Sequence, residues 1–190
     1  MPKIWRSDYM LADNKEHVKL NDFLKMKFED NGIYELLNGI ICMSPRPSTF
    51  HQRILTRLSI EIGKYLENGT CEGVNETQMI IGEHLLVPDY FVYCDEQNMG
   101  EQQYTGTATL VIEVLSKSTA FRDLSTKLNI YKEHGIKEYW VVSQHLKTVV
   151  IYDFTKGKND VKIDEYSQEM IATSNVFEGL KVDLHKIFKQ

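Results

Sequence analysis

Apolar positions along this chain follow two periods in turn, one helical and one alternating, and the switches between them mark its elements. In residues 16–30, Leu20, Phe23, Leu24, Met26 and Phe28 are set among Lys and Asp, a pattern that predicts a first helix stopping at Asn31-Gly32. Two short apolar runs, 33–37 and 40–43, flank Asn38-Gly39, a dipeptide that tolerates positive φ at both central positions of a tight turn; this predicts a hairpin. Ser44-Pro45-Arg46-Pro47-Ser48 breaks the second strand. Phe50, Ile54, Leu55, Leu58, Ile62 and Leu66 then recur at helical spacing and predict a second helix over 49–67.

From residue 74 to 115 the pattern shortens to β-rich runs, and 77–81, 88–94 and 109–115 are expected to be central strands. Residues 116–119 supply cap-type side chains for a third helix, in which Phe121, Leu124, Leu128 and Tyr131 form an apolar stripe and Gly135 ends the element. Beyond it, 138–142, 149–154 and 161–166 predict a β-meander closed by a short helix near 183–188. Strands and helices interleave without strict alternation. The expected class is therefore α/β, a mixed central sheet with helices on both faces plus a C-terminal β-meander, in a single domain over residues 1–190.

Composition narrows the class of function. The 190 residues are 42% hydrophobic and 26% charged, enough to bury a core. The longest apolar run, residues 90–94, is far below the ~20 residues a membrane helix needs, and residues 1–10 carry no apolar signal core; the expectation is a cytoplasmic protein with no membrane partner. A net charge of −5 gives no long-range attraction for phosphate, so nucleic-acid binding would need a local basic patch. Lys117, Arg122, Lys132 and Lys137 are candidates for one, and a solvated helix face fits them equally. Cys42, Cys71 and Cys94 are odd in number and lack C-x-x-C spacing, so they are read as reduced thiols. No G-x-G-x-x-G, G-x-x-x-x-G-K-[ST] or G-x-S-x-G occurs, which removes nucleotide-fold and serine-hydrolase readings.

Three carboxylates, Glu35, Asp89 and Glu113, sit within apolar strand patterns, where a lone ionised group costs several kcal/mol unless paired, neutralised or metal-bound. Glu113 shares a strand face with Val111 and Leu115, while Leu110, Ile112 and Val114 cover the other, so neither face looks solvated. Each carboxylate alone fits a strand-end residue or one half of a structural ion pair. Together they fit Mg²⁺ or Mn²⁺, hard ions that take carboxylate oxygens and leave positions for water and a phosphate. Asp123, Lys127 and Tyr131 fall at i, i+4 and i+8 of the third helix; on spacing alone an exposed Asp-Lys pair is the default. His51, isolated at the start of the second helix, reads by itself as a helix-end residue.

The segments Tyr34-Glu35-Leu36-Leu37-Asn38-Gly39, Ser44-Pro45 with His51, Val87-Pro88-Asp89, Leu110-Val111-Ile112-Glu113-Val114-Leu115-Ser116, Asp123 with Lys127 and Tyr131, and Gly135-Ile136-Lys137-Glu138-Tyr139-Trp140 resemble, in order and spacing, the Uma2 family. These are restriction-endonuclease-like proteins of the PD-(D/E)XK nuclease superfamily, and the resemblance runs over roughly residues 15–188. It implies an α/β/α restriction-endonuclease-like core and a divalent-metal-dependent endonuclease acting on DNA, with Mg²⁺ or Mn²⁺ as cofactor. Asp89 then corresponds to the PD aspartate and Glu113 to the acidic residue of the E-x-K element, both as metal ligands. Leu115 stands where the superfamily lysine would be; the resemblance implies that Lys127 supplies it from the next helix. Glu35 corresponds to an additional acidic residue, with His51, Asp123 and Tyr131 as accessory groups. Lys117 replaces the usual proline of the following loop. Cutting both strands of a duplex would call for a homodimer. The competing expectation is a noncatalytic module of the same fold, in which the carboxylates and lysine form a structural ion-pair network.

Overall fold

The Asn38-Gly39 turn forms as its chemistry predicts. In a computed structural model, which describes residues 17–116 and 120–189, both residues take positive φ, 51° and 72°. The elements run in the order α1 (Leu20–Phe23), β1 (Ile33–Leu37), β2 (Ile40–Ser44), α2 (Thr49–Leu66), β3 (Glu72–Asn75), β4 (Gln78–Ile81), β5 (His84–Leu86), β6 (Tyr90–Tyr93), β7 (Gln103–Tyr104) and β8 (Leu110–Leu115). There follow α3 (Ala120–Arg122), a π-helical turn (Asp123–Lys127), α4 (Leu128–Glu133), β9 (Glu138–Ser143), β10 (Thr148–Asp153), β11 (Lys162–Ser167), β12 (Ile171–Thr173), β13 (Lys181–Asp183) and α5 (Leu184–Phe188).

A 6-stranded sheet in the order β11-β10-β9-β8-β6-β3 is the centre of the molecule, antiparallel except for the parallel β8–β9 pair. Period-two alternation sorts its side chains into two cores. Leu110, Ile112, Val114, Trp140 and Val142 pack on one face against Ile54, Leu58 and Ile62 of α2 and Leu184 and Ile187 of α5. Val111, Tyr139 and Val141 pack on the other against Ile130 and Tyr131 of α4. Helices therefore flank both faces, the α/β/α arrangement expected. A 5-stranded sheet, β2-β1-β5-β4-β7, joins the second core through Leu37, Met79, Ile81 and Leu86. No helix among the described residues is long and apolar enough to cross a membrane.

Several expectations are corrected. The helix expected over 16–30 shrinks to α1, residue 16 lying outside the described residues. Phe23 is buried, but past it the aromatic positions serve tertiary contacts: Phe28 stacks on Tyr34 at 3.7 Å, and the Asp30 carboxylate accepts from Gly32 N and Tyr34 OH. The strand expected over 77–81 forms as β4, in the 5-stranded sheet and not beside β6 and β8. The cap residues 117–119 lie outside the described residues.

The reading of the cysteines as thiols also fails, because Cys71 and Cys94 form a disulfide. β3 and β6 pair with Glu72 opposite Tyr93, so the next residues outward face each other across the ladder, a proximity visible only once the register is known. The bond closes a segment with a sequence separation of 23. Cys71→Ser is expected to lower stability by about 2–4 kcal/mol in a denaturant titration, and reduction of the wild type should give the same loss.

His84 on β5 provides a pH-dependent contribution. Its Nδ1 accepts a hydrogen bond from Asn38 N at 3.1 Å, which requires a neutral ring. The His134 ring stands edge-on to it at 5.2 Å. Burial foremost, then the charge of His134, lowers the His84 pKa below 6.5, against the opposing charge of Glu83. A histidine depressed by folding stabilises the fold above its unfolded pKa, and that stability is lost as pH falls through the folded value. Urea titrations should therefore show the wild type losing stability relative to His84→Gln as pH drops below 6.5.

Candidate active site

The site lies where the β6–β8 ladder ends. The last pair is Tyr90 opposite Ile112, so the next position outward sets Asp89 beside Glu113. Pro88, which has no N–H to continue a ladder, precedes Asp89. Asp89 Oδ2 instead accepts from Val114 N at 2.6 Å, pairing a backbone donor that the strand leaves open. The same oxygen meets His51 Nε2 at 3.0 Å. His51 reaches it because Ser48 caps α2, its side chain accepting from His51 N at 3.3 Å, which turns the first helical residues toward the sheet. His51 does stand at the start of α2, as its position suggested, but its ring is buried against Asp89. Burial opposes a charge on it, but the Asp89 hydrogen bond and charge outweigh that and raise its pKa.

Lys127 is the centre of the cluster. Its Nζ lies 2.7 Å from Glu113 Oε1, 2.9 Å from Glu35 Oε1 and 3.7 Å from Asp123 Oδ1. Glu35 comes from β1 in the other sheet and is fixed by Val87 N at 2.9 Å and by Arg122 Nη1 at 3.1 Å. Tyr131 OH donates to Glu113 Oε1 at 2.9 Å from behind. The exposed Asp-Lys pair that spacing alone favours is thus overturned, since the Asp123 and Lys127 side chains are 3% and 4% exposed.

The cause is the π-helical turn. Regular helix would align Phe121 and Leu124 with Leu128 on the inner face; the i→i+5 turn shifts that phase and presents Asp123 and Lys127 inward instead. The expected apolar stripe is correspondingly broken, with Phe121 84% and Leu124 45% exposed. Arg122, read from sequence as part of a basic patch, is committed to Glu35 and to Ser44 Oγ at 3.0 Å. Lys117 lies outside the described residues, and neither Lys132 nor Lys137 lines the cleft. Nothing in the sequence marked the Arg122 contact, because Glu35 and Arg122 are far apart in the chain and come from different layers.

Glu35, Asp89, Glu113, Asp123, Lys127 and His51 border one cleft of about 330 Å³. Lys127 and Arg46 line it beside those carboxylates, and Arg122 pairs with Glu35. Burial, aided by the charges of Asp123, Asp89 and Glu35, holds the Glu113 carboxyl well above the usual range despite the nearby lysine. Burial disfavours the Lys127 ammonium, but Glu113, Glu35 and Asp123 outweigh it and keep the group protonated. Glu113 Oε1 is engaged while its Oε2 takes no hydrogen bond among the described residues, and Asp89 likewise uses Oδ2 and leaves Oδ1. No group of three or more His, Cys, Asp or Glu side chains among the described residues is arranged to enclose an ion by itself.

Sequence reasoning missed a buried carboxylate outside this cleft. Glu138 on β9 accepts from Trp140 Nε1 at 2.7 Å, Ser174 Oγ at 2.8 Å and Asn175 N at 2.5 Å. Its spacing of two from Trp140, on the same strand face, was the available signal. It faces the opposite core and joins the β12–β13 segment to the sheet.

The mixed sheet flanked by helices, with carboxylates where neighbouring strands diverge, is a nuclease-like fold. The same fold occurs in a solved structure from Anabaena variabilis described as a "putative nuclease belonging to DUF820", with a TM-score of 0.75 at 18% identity, covering 90% of this chain and 97% of that one. The chain belongs to the Uma2 family, whose description is "Putative restriction endonuclease" and which matches residues 20–185. It is also 28% identical over 163 residues to uncharacterized protein slr1290 of Synechocystis sp., covering 84% of this chain and 76% of that protein.

Proposed function

We propose that this chain is a divalent-metal-dependent endonuclease that hydrolyses phosphodiester bonds in DNA. The observation that carries the reading is the grouping of four carboxylates around the cleft, with one oxygen of Asp89 and one of Glu113 left without a hydrogen bond among the described residues. That donor set suits Mg²⁺ or Mn²⁺, which bind through one or two carboxylates and keep several waters. Asp89 and Glu113 would hold the ion, and a cation there would favour the ionised form of Glu113 against the burial that raises its pKa. When bound, the metal supplies Lewis-acid polarisation of the scissile phosphate and acidifies a water nucleophile.

The protein's own groups position and stabilise. Lys127 remains an ammonium, so it offsets charge developing on the phosphate and orients the attacking water by donating to it; it does not serve as the base. Glu35 fixes Lys127, and Arg122 fixes Glu35. His51 holds Asp89 by one oxygen, which directs the other at the cleft.

A second reading, a noncatalytic module, is favoured by the direct neutralisation of Glu35 and Glu113 by Lys127. Titration calorimetry with Mn²⁺ separates the two, run beside plasmid and oligonucleotide cleavage. The nuclease reading expects one or two ions per chain and cleavage, both lost in Asp89→Ala. Absence of Mn²⁺ binding by the wild type, with Asp89→Ala strongly destabilised, would move the assignment to the noncatalytic module.

A further inference from the structure

Beside the carboxylate cleft lies a larger groove of about 620 Å³ with the opposite character. The two share Ser48, Ser116 and Gln144 at their margin, so they are continuous. The groove has an apolar floor of Ile54, Leu115, Ala120, Ile187 and Phe188. Around it stand Arg53, Arg57, Lys147, Lys189 and His145, and no carboxylate residue is among its described lining, in a chain whose net charge is −5. Arg57 is held by the carbonyls of Ile187 and Lys189, which leaves Arg53, Lys147 and Lys189 as the outward cations. Two large apolar side chains project at the rim: Phe50, 67% exposed, and Leu146, 71% exposed. The Arg53 guanidinium lies 6.0 Å from the Phe50 ring centroid. Phe50 immediately precedes His51, so this ring and the Asp89 contact are set by the same first turn of α2.

We propose that this groove binds an unpaired DNA strand, with a base stacked on Phe50 and the backbone followed by Arg53, Lys147 and Lys189, delivering the adjoining phosphate to the carboxylate cleft. The inference rests on the nuclease reading and names its substrate: single-stranded or locally opened DNA. A duplex keeps its base faces inside the stack and offers a protein phosphates, sugars and base edges. An apolar floor with an exposed ring and flanking cations complements base faces joined to a phosphate chain, which only an unpaired strand presents. The local excess of positive charge also supplies the attraction that the whole molecule lacks.

The test measures binding and cleavage separately. Fluorescence anisotropy in EDTA compares labelled oligodeoxythymidylate with a labelled duplex of equal length, using wild type, Phe50→Ala and Phe50→Trp. The expected result is tighter binding of the unpaired strand, a loss of roughly tenfold in Phe50→Ala, recovery in Phe50→Trp and unchanged thermal stability in both variants. Equal affinity for duplex, indifference to Phe50→Ala, or preference for the corresponding RNA would overturn the proposal. Cleavage with Mn²⁺ distinguishes the two claims. Duplex cut equally fast by wild type and Phe50→Ala would overturn the groove assignment and leave the nuclease reading standing. Phe50-dependent strand binding with no cleavage of any DNA would support the groove and overturn the nuclease.

Discussion

Lys127→Met is expected to cost about 3–5 kcal/mol of stability, because it strands buried negative charge on Glu35 and Glu113 in the space the ammonium now neutralises. At this chain length that is on the order of 10 °C in melting temperature, readable by calorimetry. The sign of a companion experiment is more informative. Replacing Lys127, Glu35 and Glu113 together by apolar residues of similar volume should restore most of the loss, since a buried ion pair seldom outperforms well-packed hydrophobic side chains. A triple variant as stable as the wild type would mean that the cluster contributes little net stability, which removes the main motive for a purely structural role. A triple variant that remains several kcal/mol down would favour the noncatalytic reading.

The second large effect is on chemistry. Glu113→Gln keeps an oxygen able to accept from Lys127 and Tyr131, so the hydrogen bonds at Oε1 survive and the fold should melt close to the wild type. It removes the negative charge a metal would require. Cleavage rate with saturating Mn²⁺ is expected to fall roughly 10²–10³-fold, the usual scale for deleting one preorganised electrostatic group, and Mn²⁺ affinity should fall with it. Full activity in this variant would rule Glu113 out as a metal ligand. The pairing of the two experiments matters: one perturbs stability through charge balance, the other perturbs charge without disturbing packing.

Much of the fold was legible because its signals are local. Asn38-Gly39 fixed the hairpin by its tolerance of positive φ, and the spacing from Phe50 to Leu66 marked α2. Glu113 stood out because a carboxylate within Leu110–Leu115 has no hydrated face, and the two cores lie on the sides that the alternation assigned. What failed depended on contacts between distant segments. Leu24, Met26 and Phe28 have helical spacing, yet stacking of Phe28 on Tyr34 competes with helix and wins. Strands β5, β7, β12 and β13 are too short to show a period. The Cys71–Cys94 bond needed the β3–β6 register, and Arg122 needed the packing of β1 against the third helical segment. The inward face of that segment was misassigned because a phase shift of one residue is invisible to a count at 3.6 per turn.

That phase shift also divides the segment into two independently indexed rulers. The stretch before the π-helical turn, carrying Arg122, is aligned to Glu35; the stretch after it, carrying Tyr131, is aligned to Glu113. Removing a single residue from Asp123–Lys127 would only rewind the turn into ordinary α-helix, but adding one between Leu128 and Tyr131, where no wide turn absorbs it, would rotate Tyr131 against Arg122 by about 100°. Both alignments could not then hold at once. The segment therefore tolerates exchange of its outward side chains far better than a change of length outside the π-helical turn, and an insertion between Leu128 and Tyr131 would dismantle the cluster even with every polar residue retained.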